Sequence, residues 1–360
     1  MRRGHLEIWT LALTVALAGA IGCKDKGGDD SGGTSDGGAD GGGDGGGDGG
    51  GGDGGGDGGT GDGGTECEVS VTEVEPVDGE TAWFWRDPLE VTLDGATDDL
   101  SFTLTDSSGA SIPLSSSASE GGLVYTLTPG AGMTGLEEYT LTVDVCGSTF
   151  SSSFMTTAYG LPLEGASVDL VGNTYYFDLP GSTFVQPVGV GALLATFLDV
   201  PILVGVTAAD DSMIDLLGGQ GTRDASDLWV QDLEQFTWDF PAASFTEAPY
   251  FQAAADIIIG YNYDGDYYEI PVYDFQVEGT FSADGQTIGG GRALGQGDTR
   301  NMGPLLGGSD DPLALCEILA DIGLECETCP DGTVSCLTLE VLFPEAPLMP
   351  DITLVEVGAR

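Results

Sequence analysis

Between Gly27 and Gly64 the chain is almost nothing but glycine and aspartate, with nine aspartates (Asp29, Asp30, Asp36, Asp40, Asp44, Asp48, Asp53, Asp57 and Asp62) and no apolar side chain larger than Ala39. A stretch that buries nothing cannot offset the entropy of ordering its backbone, so it is expected to stay disordered. Treated as Gly-rich coil, its roughly 40 residues have an r.m.s. span of about 35 Å, and repulsion between the aspartates extends it further. It therefore reads as a tether separating a short N-terminal segment from a folded part at 66–360. A calcium-binding β-roll also repeats Gly and Asp, but it needs an apolar residue in every turn, and this tract has none.

The N-terminal segment opens with Arg2 and Arg3, followed by an uncharged, mostly apolar run from Ile8 to Ile21. That run is too short to span a bilayer and has the length of a signal-peptide core. It ends in Ala20-Ile21-Gly22-Cys23, which resembles the lipobox of bacterial lipoproteins. The resemblance implies that residues 1–22 are removed, that Cys23 is diacylated, and that the membrane is a partner through this lipid. Lys24 stands where an aspartate would retain such a protein at the inner membrane, so an outer-membrane anchor is implied. An ordinary secretory signal with an incidental cysteine is the alternative.

Charge narrows the function classes. The chain carries 59 Asp and Glu against 9 Lys and Arg, for a formal net charge of -50. Residues 66–360 hold 48 of the acids, five arginines (Arg86, Arg223, Arg292, Arg300, Arg360) and no lysine, about -43 in all. Nucleic acid, whose phosphates demand a basic surface, is excluded as a partner. The one histidine, His5, lies in the signal segment, so the mature chain has no His-dependent triad or His-ligated metal. Repulsion on this scale calls for screening by salt or divalent cations.

Without Cys23 six cysteines remain, Cys67, Cys146, Cys316, Cys326, Cys329 and Cys336, an even number that fits disulfides in an oxidising compartment. Cys329 and Cys336 flank the turn signal Pro330-Asp331-Gly332 and are expected to face each other across a hairpin, which leaves Cys316 for Cys326. A zinc site from these last four is the competing reading, because Cys326 and Cys329 have metal-ligand spacing.

The expected fold class is mainly β: a sandwich over 66–158, a β-rich (α+β) domain with antiparallel hairpins over 159–309, and a small disulfide-stapled helix-and-hairpin subdomain over 310–360. In 66–158, short alternating runs recur between turn signals, at Val91 and Leu93, Phe102 and Leu104, Leu123 to Leu127, Tyr139 to Val145, and Phe150 to Phe154. Val74-Glu75-Pro76-Val77-Asp78-Gly79, Leu127-Thr128-Pro129 with Leu136 to Val143, and Phe154-Met155-Thr156-Thr157 resemble the bacterial Ig-like domain of the SbsA type. That resemblance implies a structural or adhesive role at a cell surface and no catalytic residues. Cys67 and Cys146 depart from the family pattern and, lying at the first strand and near the last, are placed for a bridge. Trp83-Phe84-Trp85-Arg86 is the oddity of this region. Adjacent rings with a guanidinium could stack on sugars as a ligand platform of Trp83, Trp85 and Arg86, or Trp83 and Trp85 could face one side of a strand and plug the core, with Arg86 paired to an acid.

In 159–360, the apolar run from Val188 to Val206 is broken by Asp199 and Pro201, and reads as a buried helix at Ala192–Leu198 leading into a strand at Ile202–Val206 rather than a membrane span. Strands are expected at 257–263, 267–281 and 287–294, joined by the turns Asp264-Gly265 and Asp284-Gly285. Tyr273, Phe275, Val277 and Phe281 should face the core while Asp274, Gln276, Glu278 and Thr280 face out. Asp311 should cap a helix over 312–322 with Leu315, Ile318, Leu319 and Ile322 on its inner face. Two clusters carry candidate chemistry. Asn262, Asp264, Asp266 and Glu269 offer oxygens for Ca²⁺, the one cofactor considered, or form an acidic hairpin tip. Arg292, Asp298 and Arg300 offer an internal ion-pair cluster or an anion pocket. The expected function is a lipid-anchored envelope protein displaying its β domains for binding or adhesion to a surface glycan or protein. A structural envelope component is the alternative, followed by a carboxylate-dependent glycosidase, since an enzyme is not expected from a mature chain without histidine.

Overall fold

A computed structural model describes residues 67–119, 121–130, 133–189, 200–263, 266–303, 311–321 and 323–358. Cys23, the tether, the helix expected at Ala192–Leu198, Asp264 and Ile322 lie outside the described residues. Among the described residues no helix is long and apolar enough to cross a membrane.

The first part contains β1 (Val71–Glu75), β2 (Glu80–Trp83), β3 (Leu89–Leu93), β4 (Leu100–Asp106), β5 (Ser111–Ile112), β6 (Leu114–Ala118), β7 (Val124–Pro129), β8 (Glu138–Val145) and β9 (Ser148–Thr156). They form two sheets, ordered β1-β3-β7-β6 and β2-β9-β8-β4-β5, in which all pairs are antiparallel except β2 with β9. Period-2 alternation decides which faces meet: Tyr139, Leu141, Val143 and Val145 of β8 are buried while Glu138 and Asp144 face water. Tyr139, Leu141 and Val143 join Leu89, Val91, Leu104, Leu127 and Phe154 to fill the space between the sheets. Cys146 and Gly147 turn the β8–β9 hairpin with φ of 50° and 74°, the left-handed pair that a two-residue turn of this hand requires.

The second part contains β10 (Thr174–Phe177), β11 (Thr183–Gln186), β12 (Ile202–Ala209), β13 (Met213–Arg223), β14 (Trp229–Gln231), β15 (Trp238–Ser244), β16 (Tyr250–Tyr263), β17 (Asp266–Phe281), β18 (Thr287–Asp298), α1 (Ala314–Asp321), β19 (Glu327–Thr328) and β20 (Val334–Pro347). All eleven strands share one antiparallel sheet, with the main order β10-β12-β13-β15-β16-β17-β18-β20-β11. Sequence patterning foretold the hairpins but not their closure. Past β20, Leu348 bridges Tyr175 and the Met349 N–H donates to the Thr174 carbonyl at 2.7 Å, so eight strands from β10 to β20 close into a barrel. Its interior is one apolar cluster that includes Tyr175, Phe177, Phe240, Phe251, Phe281 and Phe343. The C-terminal segment lies against the outside of β10, β12 and β13, where Ile352 and Leu354 cover Leu203, Leu217 and Tyr176.

Three expectations change. The boundary drawn at 309/310 falls between β18 and β20, which are paired along their length, so β20 is a stave of the barrel rather than part of a separate subdomain. Among the described residues of the expected face on α1, only Leu315 and Leu319 are buried, because the eight-residue helix touches the barrel along a single line and leaves Ile318 48% exposed. Thr280 does not face solvent but is fully buried, because the sandwich docks on that stretch of the barrel wall.

The cysteines pair Cys67–Cys146, Cys316–Cys326 and Cys329–Cys336, with Cα separations of 5.3, 5.6 and 5.2 Å. All lie in the range a disulfide demands. The last two pairings use up the four sulfurs that the zinc reading required.

Candidate functional site

The joint between sandwich and barrel is built from Trp83-Phe84-Trp85-Arg86. Strand β2 ends at Trp83, so the two tryptophans do not share a strand face, and the turn that follows throws the next three side chains toward the barrel. Trp83 stays half-buried against Phe154, with ring centroids 6.4 Å apart. Trp85 is buried, and its Nε1–H donates to Oγ1 of Thr280 at 3.2 Å. It presents no face on which a sugar could stack. Phe84 and Tyr159 lie with centroids 6.1 Å apart, on the glycine run 289–291 of β18. Any Cβ at Gly289 would enter the Tyr159 ring, and any at Gly290, whose φ is +57°, would enter the Phe84 ring. Bare backbone there makes the flat seat that the rings need.

Arg86 completes the lock. Its Cζ lies 3.8 Å from the centroid of Tyr250, and its Nη1 meets Glu247 Oε2 at 2.5 Å. The Tyr250 hydroxyl donates to Glu278 Oε2 at 2.6 Å. Arg292 bridges Glu278 at 3.7 Å and Glu340 at 2.8 Å. Burial and the adjoining Glu278 hold the Tyr250 hydroxyl well above the usual phenol range.

Beside this lock lies a cleft of about 340 Å³ whose walls come from both parts: Phe84, Asp87 and Thr157 from the sandwich, Tyr159 from the connection, and Thr183, Leu342 and Phe343 from the barrel. Desolvation first, and then the charge of Glu278, push the Asp87 carboxyl up to about 6, although the residue as a whole is exposed to solvent. Asp87 has no side-chain hydrogen bond or ion pair among the described residues. Composition gave no sign of this site, since Asp87 is one acid among dozens, and only its position just past the aromatic run marks it.

The other candidates are dispersed. Asp266 is exposed, and it lies three residues from Glu269 on β17, so the two side chains project to opposite faces of the strand. Among the described residues no three His, Cys, Asp or Glu side chains gather as a metal site. Arg300 clasps Asp298 through Nη2 at 2.5 Å and Asp331 through Nη1 at 2.7 Å, whereas Arg292 belongs to the joint, so the three charges do not form one pocket.

No family model matches the chain, and no curated protein matches it. Two solved structures that align with it are a crystal structure of the S-layer protein rSbsC(31-844) and a structure of surface layer protein SbsC, domains 1-6, both at 10% identity over 81% of this chain, with TM-scores of 0.19 and 0.20. The alignment spans only 55% of either of those chains. Overlap at this level carries no argument about fold or role.

Proposed function

We propose that the chain is a lipid-anchored envelope protein of the outer membrane that presents its sandwich and barrel as one unit for binding or adhesion, with the cleft at the joint as the ligand site. The cleft carries this reading, because it exists only where the two parts meet, and ligand sites favour such junctions. The sequence supports the rest: a lipid-acceptor cysteine at Cys23 followed by a tether long enough to lift the unit off the membrane. The reading is not catalytic. Glycoside hydrolysis needs two carboxylates flanking the bond, and Asp87 is the one acid among the described residues lining the cleft.

Two experiments test the proposal. Cys23→Ser should move the protein out of the membrane fraction, and globomycin should block processing of the wild type; a serine variant still held in the outer membrane contradicts the anchor. Full-length protein in detergent should retain an envelope glycan or protein that Thr183→Trp, which fills the cleft, no longer retains. Equal retention by both proteins contradicts the cleft as the ligand site and leaves a structural envelope role.

A further inference from the structure

Asp87 is a carboxylate that the protein itself does not neutralise. Every arginine among the described residues is committed: Arg86 to Glu247, Arg223 to Asp227, Arg292 to Glu278 and Glu340, and Arg300 to Asp298 and Asp331. No lysine follows Lys26. Whatever cation balances Asp87 therefore arrives from solution, and the field of an acidic surface draws cations toward it. The cleft around it is otherwise lined by rings, aliphatic groups and two threonine hydroxyls. That set does not suit a bare metal ion, since Ca²⁺ takes six to eight oxygens and Mg²⁺ needs a near-ideal octahedron. It does suit a group that is cationic at one end and apolar at the other, because an ammonium gains from both a carboxylate and nearby ring faces.

Building on the binding role proposed above, we infer that the cleft takes an organic amine, with the ammonium on Asp87 and its apolar body between Phe84, Tyr159 and Leu342. The raised carboxyl accords with this: a carboxylate beside Glu278 and without a cationic partner gains from an incoming cation.

The probes are 2-phenylethylammonium, its neutral counterpart 2-phenylethanol, and methylammonium, titrated calorimetrically into full-length protein in detergent at matched ionic strength. The aromatic amine should bind at least about tenfold more tightly than the alcohol or methylammonium, a difference of about 1.4 kcal/mol. Asp87→Asn should remove that advantage. Glu73→Gln, which deletes a remote exposed acid, should keep it. Melting curves of both variants guard against loss of fold. Equal binding of amine and alcohol overturns the amine class in favour of a neutral ligand such as a sugar. Equal losses in Asp87→Asn and Glu73→Gln overturn the site in favour of diffuse attraction to an acidic surface. Envelope retention that fails in Thr183→Trp while the amine does not bind would contradict this inference alone and leave the binding role standing.

Discussion

A single Cβ at Gly290 is the most economical test of the joint. Alanine there meets the Phe84 ring at a φ of +57°, and overpacking of this kind costs about 1–3 kcal/mol, so Gly290→Ala should lower the unfolding free energy measured by urea titration by that amount. A change within error would mean that the ring does not rest on the glycine run. Asp87 makes a prediction with a definite sign. Its folded pKa, about 6, lies above the unfolded value near 3.8, so its contribution to stability is complete below the unfolded pKa and is lost as pH rises through 6. Asp87→Asn should therefore raise the melting temperature at pH 7 and leave it nearly unchanged at pH 4. A loss of stability at pH 7 would show that the carboxylate has a cationic partner after all. The charged group that bears on this titration is Glu278, which adds to the effect of burial.

Loop length should rank the three disulfides. Cys67 and Cys146 are 79 residues apart and Cys329 and Cys336 only seven, and the chain-entropy model assigns about 4.5 kcal/mol to the first loop and about 2.4 to the second. Replacing both cysteines of each pair by serine should therefore destabilise the sandwich pair more, and the reverse order would contradict a role exerted through the unfolded chain. The hairpin turn at 329–336 was legible because Pro-Asp-Gly is a local signal, and β8 because its alternation is complete. Barrel closure was not legible: Tyr175 and Leu348 meet across 173 positions of sequence, and no local pattern encodes a contact of that range. Trp83-Phe84-Trp85-Arg86 was visible as an oddity, but its partners Thr280, Gly290 and Tyr250 are distant in sequence, so a ring run bound for an inter-part seat looked the same as a sugar platform.

Across the whole molecule, about -43 on residues 66–360 stores repulsion that an expanded chain relieves. The melting temperature should climb as ionic strength rises from 0.01 to 0.15 M and the Debye length falls from about 30 to about 8 Å. Calcium and magnesium should act alike at matched ionic strength, since Asp266 and Glu269 lie on opposite faces of β17. A calcium-specific rise abolished by Asp264→Asn with Asp266→Asn would reinstate the hairpin tip as a site. The joint itself sets how the molecule unfolds. With Trp85 bonded to Thr280 and Tyr250 packed against the sandwich core, neither part can open without stripping apolar surface from the other. Differential scanning calorimetry of the full-length protein tests this most directly. One transition with equal calorimetric and van't Hoff enthalpies is predicted, whereas two resolved transitions would show that sandwich and barrel are independent and that the cleft between them is not a fixed site.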